Sequence, residues 1–197
     1  MKTSEAILTR RSTRVYSDRP VEQEKLEQVI EAGRYAPSGG NNQTTHFIVI
    51  RNQEVLAELA RLVKQEFSKM EETPGMYKSL AGAIRRSKGE TYIFHYNAPV
   101  LILTANRIDY GNNIADCACC LENMMIQANA LDLGTCWINQ LKWLNEEPEI
   151  LEYLYSLGMK ETERVYGAVI IGYPATDSGL PNRNLMHLKG NEVTWVD

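Results

Sequence analysis

No stretch of this chain is apolar for long. The longest candidates, residues 99–105 and 168–172, fall well short of the roughly 18 residues a membrane-spanning helix requires, so no membrane partner is expected. The opening Met1-Lys2-Thr3-Ser4-Glu5 lacks the apolar core of a secretory signal, which points to a cytoplasmic location. Histidine is scarce: His46, His95 and His187 are too scattered to form a metal pattern. Of the four cysteines, Cys117, Cys119 and Cys120 crowd together at spacings that match neither zinc nor iron–sulfur ligation and cannot staple a chain. On a helix Cys117 and Cys120 share a face and Cys119 points away, so they read as reduced, small filler in a tight helix interface. The sequence holds no Gly-x-Ser-x-Gly elbow, no phosphate-loop Gly-Lys-Ser/Thr and no Gly-x-Gly-x-x-Gly after a strand, and so gives no support to a hydrolase, a nucleoside triphosphatase or a Rossmann dehydrogenase. The net charge of -4 gives no general attraction to nucleic acid, so any bound anion must be held by a local cluster. A chain without its own nucleophile or acid–base pair can still be an enzyme when a cofactor carries the chemistry.

What is present is the composition of one soluble domain, 44% hydrophobic and 23% charged over 197 residues, with no internal repeat. Ser4 opens a short capped helix that ends near Arg10. Pro20 precedes a helix over residues 22–35, in which Leu26, Val29, Ile30 and Gly33 share a face before Pro37 stops it. Residues 46–50 read as a buried strand and 54–67 as an amphipathic helix. Residues 68–96 show no period and combine Thr73-Pro74-Gly75, the basic run from Arg85 to Lys88 and several tyrosines and methionines; an irregular lid or pocket wall and plain packing both account for them. Residues 99–105 are apolar on both faces, as a central strand must be. A long apolar helix over 113–131 needs covering on most sides, by the core and by a second subunit, with Gly134 as its terminating glycine. A strand over 135–138, a helix over 146–157 begun by Asn145, and a strand over 165–172 follow. The tail, residues 175–197, carries Leu185, Met186 and Trp195 without periodicity and is expected to lie across something else, the partner subunit.

Two stretches carry binding chemistry. Arg10-Arg11-Ser12-Thr13-Arg14 holds three guanidinium groups and two hydroxyls in an acidic chain. Such a cluster is either a phosphate clamp, because guanidinium forks match phosphate oxygens, or a solvated helix end favoured by the macrodipole. The second stretch, residues 36–43, contains Pro37, Ser38, Gly39, Asn41 and Gln43. Its glycines admit close backbone approach to a ligand and its amides both donate and accept, although surface loops of this composition are common.

Taken together, Arg10-Arg11-Ser12-x-Arg14, Ala36-Pro37-Ser38-Gly39-x-Asn41-x-Gln43, Gly134-Thr135-Cys136-Trp137-Ile138 and Gly172-Tyr173-Pro174 with Arg183 downstream resemble the FMN-dependent nitroreductase family, in its order and at its spacing. The resemblance implies an α+β fold, a mostly antiparallel sheet flanked by helices, in an intertwined homodimer with two FMN sites at the subunit interface. It implies that Arg10, Arg11, Ser12, Arg14 and Arg183 surround the FMN phosphate. Pro37, Ser38, Gly39, Asn41 and Gln43 would approach from the partner subunit, and Trp137, Ile138, Asn139 and Gln140 would run beside the flavin ring. It further implies no catalytic side chain of the protein's own: NADH or NADPH delivers hydride to the flavin, and a nitroaromatic, quinone or related flat small-molecule acceptor takes it in a ping-pong cycle. Reduction of a specific activated alkene or halogenated aromatic, or FMN binding for storage or redox sensing, are the alternatives. Thr44-Thr45 departs from the family's usual Pro-Trp, and Asn139-Gln140 stands where glycine or an acidic residue is frequent. No counterpart is evident for the asparagine and lysine that longer members direct at the flavin from the middle segment.

Overall fold

Strand β2 (Val100–Arg107) is buried at every position but its last, so both of its faces must be covered. The computed structural model describes residues 1–197 and shows how. β2 lies inside a four-stranded sheet with β1 (His46–Ile50), β3 (Gly134–Ile138) and β4 (Glu163–Gly172), in the order β1-β2-β4-β3 and antiparallel throughout. Alternate residues feed two cores. Leu101, Leu103 and Ile170 pack with Leu59, Val63 and Phe67 of α3 (Gln53–Lys69) on one face. Ile102 and Val169 pack with Leu26 and Val29 of α2 (Gln23–Arg34) and Met124 of α5 (Asn113–Ala130) on the other. This is the α+β arrangement expected, with helices on both faces of the sheet. No helix is long and apolar enough to cross a membrane.

Four local expectations are corrected. Residues 68–96 are not irregular throughout, because Lys78–Ser87 forms helix α4 with Ala83, Ile84 and Ser87 buried. Its apolar positions, Leu80, Ala83 and Ile84, span little more than one turn, too short a run for the period to stand out after the Thr73-Pro74-Gly75 turn. The helix before β3 ends at Ala130, and the residue that takes the left-handed conformation is Asp132, at φ 66°, while Gly134 already belongs to the strand. Gly134 is needed for space instead, since a Cβ there would lie 2.6 Å from the Thr13 hydroxyl. Asn145 does not begin a helix. A short helix, α6 (Gln140–Trp143), precedes it, α7 (Pro148–Ser156) starts at the proline, and Asn145 bonds both backbone groups of Val165. Ser4 lies inside α1 (Thr3–Thr9), whose N-cap is Lys2.

Cys117 and Cys120 are buried on α5 and Cys119 is exposed, all as free thiols. Burial pushes the Cys117 thiol up to about 12, which leaves it protonated and unreactive. The tail forms no helix or strand, and Leu185, Met186 and Trp195 find no cover within the chain; Trp195 is 85% exposed.

Candidate functional site

After α1 the chain runs alongside β3. Ser12 forms a parallel bridge with Thr135, the Thr13 amide donates to the Thr135 carbonyl at 2.8 Å, and Tyr16 pairs with Pro174 beyond β4. These bonds fix the basic cluster against the edge of the sheet, and the tight Gly134–Thr13 contact lets it lie that close. Beside it opens a cleft of about 570 Å³. Ser12 and Arg14 stand on one side of it, Trp137, Ile138, Asn139 and Gln140 along its floor, and Tyr77, Lys78, Arg86, Tyr96 and Trp143 on the far side. The floor is ordered by its own polar groups: the Trp137 indole donates to Asn139 Oδ1 at 2.8 Å and the Asn139 amide to Gln140 Oε1 at 3.1 Å. Behind the cleft Tyr16 donates to the Thr13 carbonyl at 2.7 Å, and burial raises its phenol above the ordinary range. Tyr92 is raised to about 12 for the same reason, so both phenols stay neutral. No carboxylate lines the cleft.

The rest of the basic cluster faces elsewhere. Arg11 donates to the Leu8 carbonyl at 3.1 Å and to Arg10, closing the end of α1, and Arg10 pairs with Glu122 of α5 at 3.6 Å. The helix-end reading therefore describes these two side chains, while Ser12 and Arg14 reach the cleft. Arg183 lies at the far end of α5, where it donates to the Asn129 carbonyl and to Asp132, both at 2.7 Å. Asn129 in turn donates to the Ala6 carbonyl of α1 at 3.0 Å, so the tail, α5 and the approach to the basic cluster meet at one joint. Within that joint the Arg183 Nε donor is buried without an acceptor. A buried donor of this kind costs free energy until an acceptor reaches it, and a guanidinium favours an anion.

The amide-rich loop is not at this cleft. Ser38, Asn41 and Gln43 line a second cleft of about 450 Å³ with Tyr35, Thr45 and Cys120. Pro37 and Gly39 belong to the same loop, which makes one 3-10 turn over Gly39–Asn41. Asp116 of α5 holds it: Gly39 N–H donates to Asp116 Oδ1 at 3.1 Å, and the Tyr110 hydroxyl lies 2.8 Å from Asp116 Oδ2 and 3.0 Å from the Gly39 carbonyl. The Gln43 amide donates to Ser38 Oγ and its side chain to Asn41 Oδ1, while Asn41 and Gln43 both take positive φ. Backbone held in that region by non-glycine residues implies a loop over-determined by its surroundings. One chain thus presents two separate clefts, one cationic and aromatic, the other rich in amides. Arg86 comes from the basic run that the sequence alone reads as lid, pocket wall or plain packing, whereas nothing in the sequence singles out Asp116, Lys78 and Trp143, which become legible only once α4, α5 and α6 are in place.

Residues 7–173 match the Nitroreductase family. A protein of Archaeoglobus fulgidus carrying the provisional name NADH dehydrogenase/NAD(P)H nitroreductase is 31% identical over 171 residues, covering 85% of this chain and 83% of its own length. The nitrobenzene nitroreductase of Ectopseudomonas oleovorans is 24% identical over 209 residues, 91% of this chain and 88% of its own. Among solved structures, a nitroreductase from Bacteroides fragilis NCTC 9343 with bound FMN superposes with a TM-score of 0.88 at 35% identity, over 100% of both chains.

Proposed function

The chain belongs to the nitroreductase family, and from that premise we propose that it is an NAD(P)H-dependent FMN oxidoreductase that reduces nitroaromatics, quinones or related flat acceptors by a ping-pong mechanism. The observation that carries this reading is the cleft beside β3, which joins cationic and aromatic walls to a polar floor and has no carboxylate. FMN fits these residues: its phosphate suits the buried, acceptor-less Arg183 Nε, and its ring suits a cleft of this size between Ser12 and the 137–140 floor.

In this reading Arg10, Arg11, Ser12, Arg14 and Arg183 hold the phosphate, where several guanidinium groups together neutralise a charge near two. Arg10 and Arg11 turn from Glu122 and the end of α1 to do so. Trp137, Ile138, Asn139 and Gln140 align the ring, and Pro37, Ser38, Gly39, Asn41 and Gln43 of the partner subunit close it from the opposite side. When bound, FMN supplies a reversible hydride acceptor at its N5 position, which no side chain of the protein can provide. The chain's part is to position the reactants, exclude water, and present amide donors where negative charge grows. Donor and acceptor occupy one cleft in turn, so double-reciprocal plots against either reactant are expected to be parallel.

The test is direct. The purified protein is expected to be yellow, to release FMN on denaturation, and to oxidise NADH or NADPH in the presence of a nitroaromatic and quinone panel. Bound flavin with no turnover for any donor and acceptor would overturn the enzymatic reading, and a colourless protein that cannot be reconstituted would overturn the cofactor.

A further inference from the structure

The basic residues of α4 fall into two groups. Arg85 donates to Glu72 at 3.0 Å, and Lys88, just past the helix, to Glu71 at 2.9 Å. These two are neutralised, as most surface charges are. Lys78 and Arg86, the two that line the cleft beside β3, form no ion pair and no hydrogen bond. The Arg86 guanidinium carbon lies 5.9 Å from the centre of the Tyr92 ring. Helix stability does not explain Lys78 either. It stands at the first position of α4, where the helix dipole disfavours a cation, and the first turn has no acidic residue to offset it. Both charges border a cleft whose lining includes no carboxylate, on the same side as the Tyr77–Trp143 pair, whose rings meet edge to face with centroids 6.1 Å apart.

We infer that Lys78 and Arg86 select an acceptor bearing an anionic group, a flat aromatic carboxylate or its phosphorylated equivalent, whose ring lies against Tyr77 and Trp143. This rests on the proposed reductase function, and it narrows the acceptor from flat compounds in general to flat anions. The physical ground is that neither cation has a counter-charge of its own and no carboxylate lines the cleft, so an entering anion meets charged donors with no competing acceptor. A neutral isostere gains the ring contact and forgoes the charge-assisted bonds.

Two measurements on the FMN-loaded protein test it, with 4-nitrobenzoate and its neutral isostere 4-nitrobenzamide as probes. The first is binding without a nicotinamide donor, followed by quenching of tryptophan fluorescence. The second is kcat/KM for each acceptor at saturating donor. The benzoate is expected to be favoured in both, and the preference is expected to fall about tenfold or more in a Lys78→Gln/Arg86→Gln double variant, the loss of charge-assisted contacts. Arg85→Gln, which removes an outward and paired charge, is expected to keep the preference. Equal binding of the two probes by the unaltered protein, or an undiminished preference in the double variant, would overturn the inference. So would a double variant that loses FMN or affinity for NADH or NADPH while its acceptor preference stands, since the cations would then serve the cofactor or the donor. Selective binding without turnover of either compound would support the anion site and sink the reductase reading alone.

Discussion

The two clefts of this chain are built by opposite means. The one beside β3 is assembled from segments distant in sequence: the basic stretch bridged to Thr135, the exit of β3, and helix α4. Its charges are largely free and its walls aromatic. The one under the 36–43 loop is almost local, a self-bonded turn pinned to Asp116 and lined by amides. Neither holds the full residue set that the family resemblance assigns to one FMN. The contrast sharpens the proposed reading, in which the two clefts are complementary halves and a two-fold dimer would bring the amide half of one protomer to the cationic half of its partner.

The largest effect expected from that pairing is complementation. Arg14→Glu reverses the charge of the first cleft, and Ser38→Trp blocks the second at a position whose extended backbone tolerates any side chain. Each variant alone is expected to lose turnover to background. Co-refolded in equal amounts, they are expected to recover roughly one quarter of the intact sites, because half of a statistical dimer population is mixed and each mixed dimer has one unaltered site. Recovery of nothing would break the comparison and place both half-sites on one protomer. Next, Arg183→Ala removes the buried, acceptor-less donor and should weaken FMN binding by about 1.5–3 kcal/mol, roughly 10- to 150-fold by fluorescence titration. Unchanged affinity would separate the tail joint from the cationic half.

Acid should act on the wall of the first cleft. His95, next to Tyr96, is only 5% exposed, and burial lowers its pKa from 6.5 to about 4. The folded state therefore binds its proton less readily than the unfolded chain. The stability this neutral imidazole contributes is full above pH 6.5 and is lost as pH falls toward 4, by about 3 kcal/mol at the end of that window. Denaturant unfolding at several pH values should show that slope, and His95→Asn should flatten it. The smallest effect is steric. Gly134→Ala places a Cβ 2.6 Å from the Thr13 hydroxyl and is expected to cost about 1–3 kcal/mol, with faster amide exchange in residues 12–16 and none added in the loop over 36–43. Equal loosening of both would show that the half-sites are one cooperative unit.

Much of this was legible in the sequence for identifiable reasons. Residues 99–105 had to be a central strand because no face was polar, and Leu26, Val29 and Gly33 declared the inner side of α2 by spacing alone. The site was legible as a set of motifs but not as a place. Nothing local tells that Arg11 folds back on α1 while Arg14, three residues on, reaches a cleft; the bridge from Ser12 to Thr135 decides that. Helix α4 escaped because its apolar positions span little more than one turn, and what Lys78 and Arg86 do there depends on which neighbours carry glutamates to pair with. Asp132 took the turn that Gly134 was expected to make, since the tertiary contact with Thr13 had the stronger claim on the glycine.

The arrangement of thiols on α5 has a practical consequence. Cys117, Cys120 and Cys136 are buried and Cys119 alone is exposed, on the same helix as the exposed Ile114. The protein thus carries a single native attachment point for a maleimide, placed on the helix whose covering is in question. Its labelling rate as a function of protein concentration would trace assembly without any introduced probe, slowing where two chains meet and staying constant where they do not.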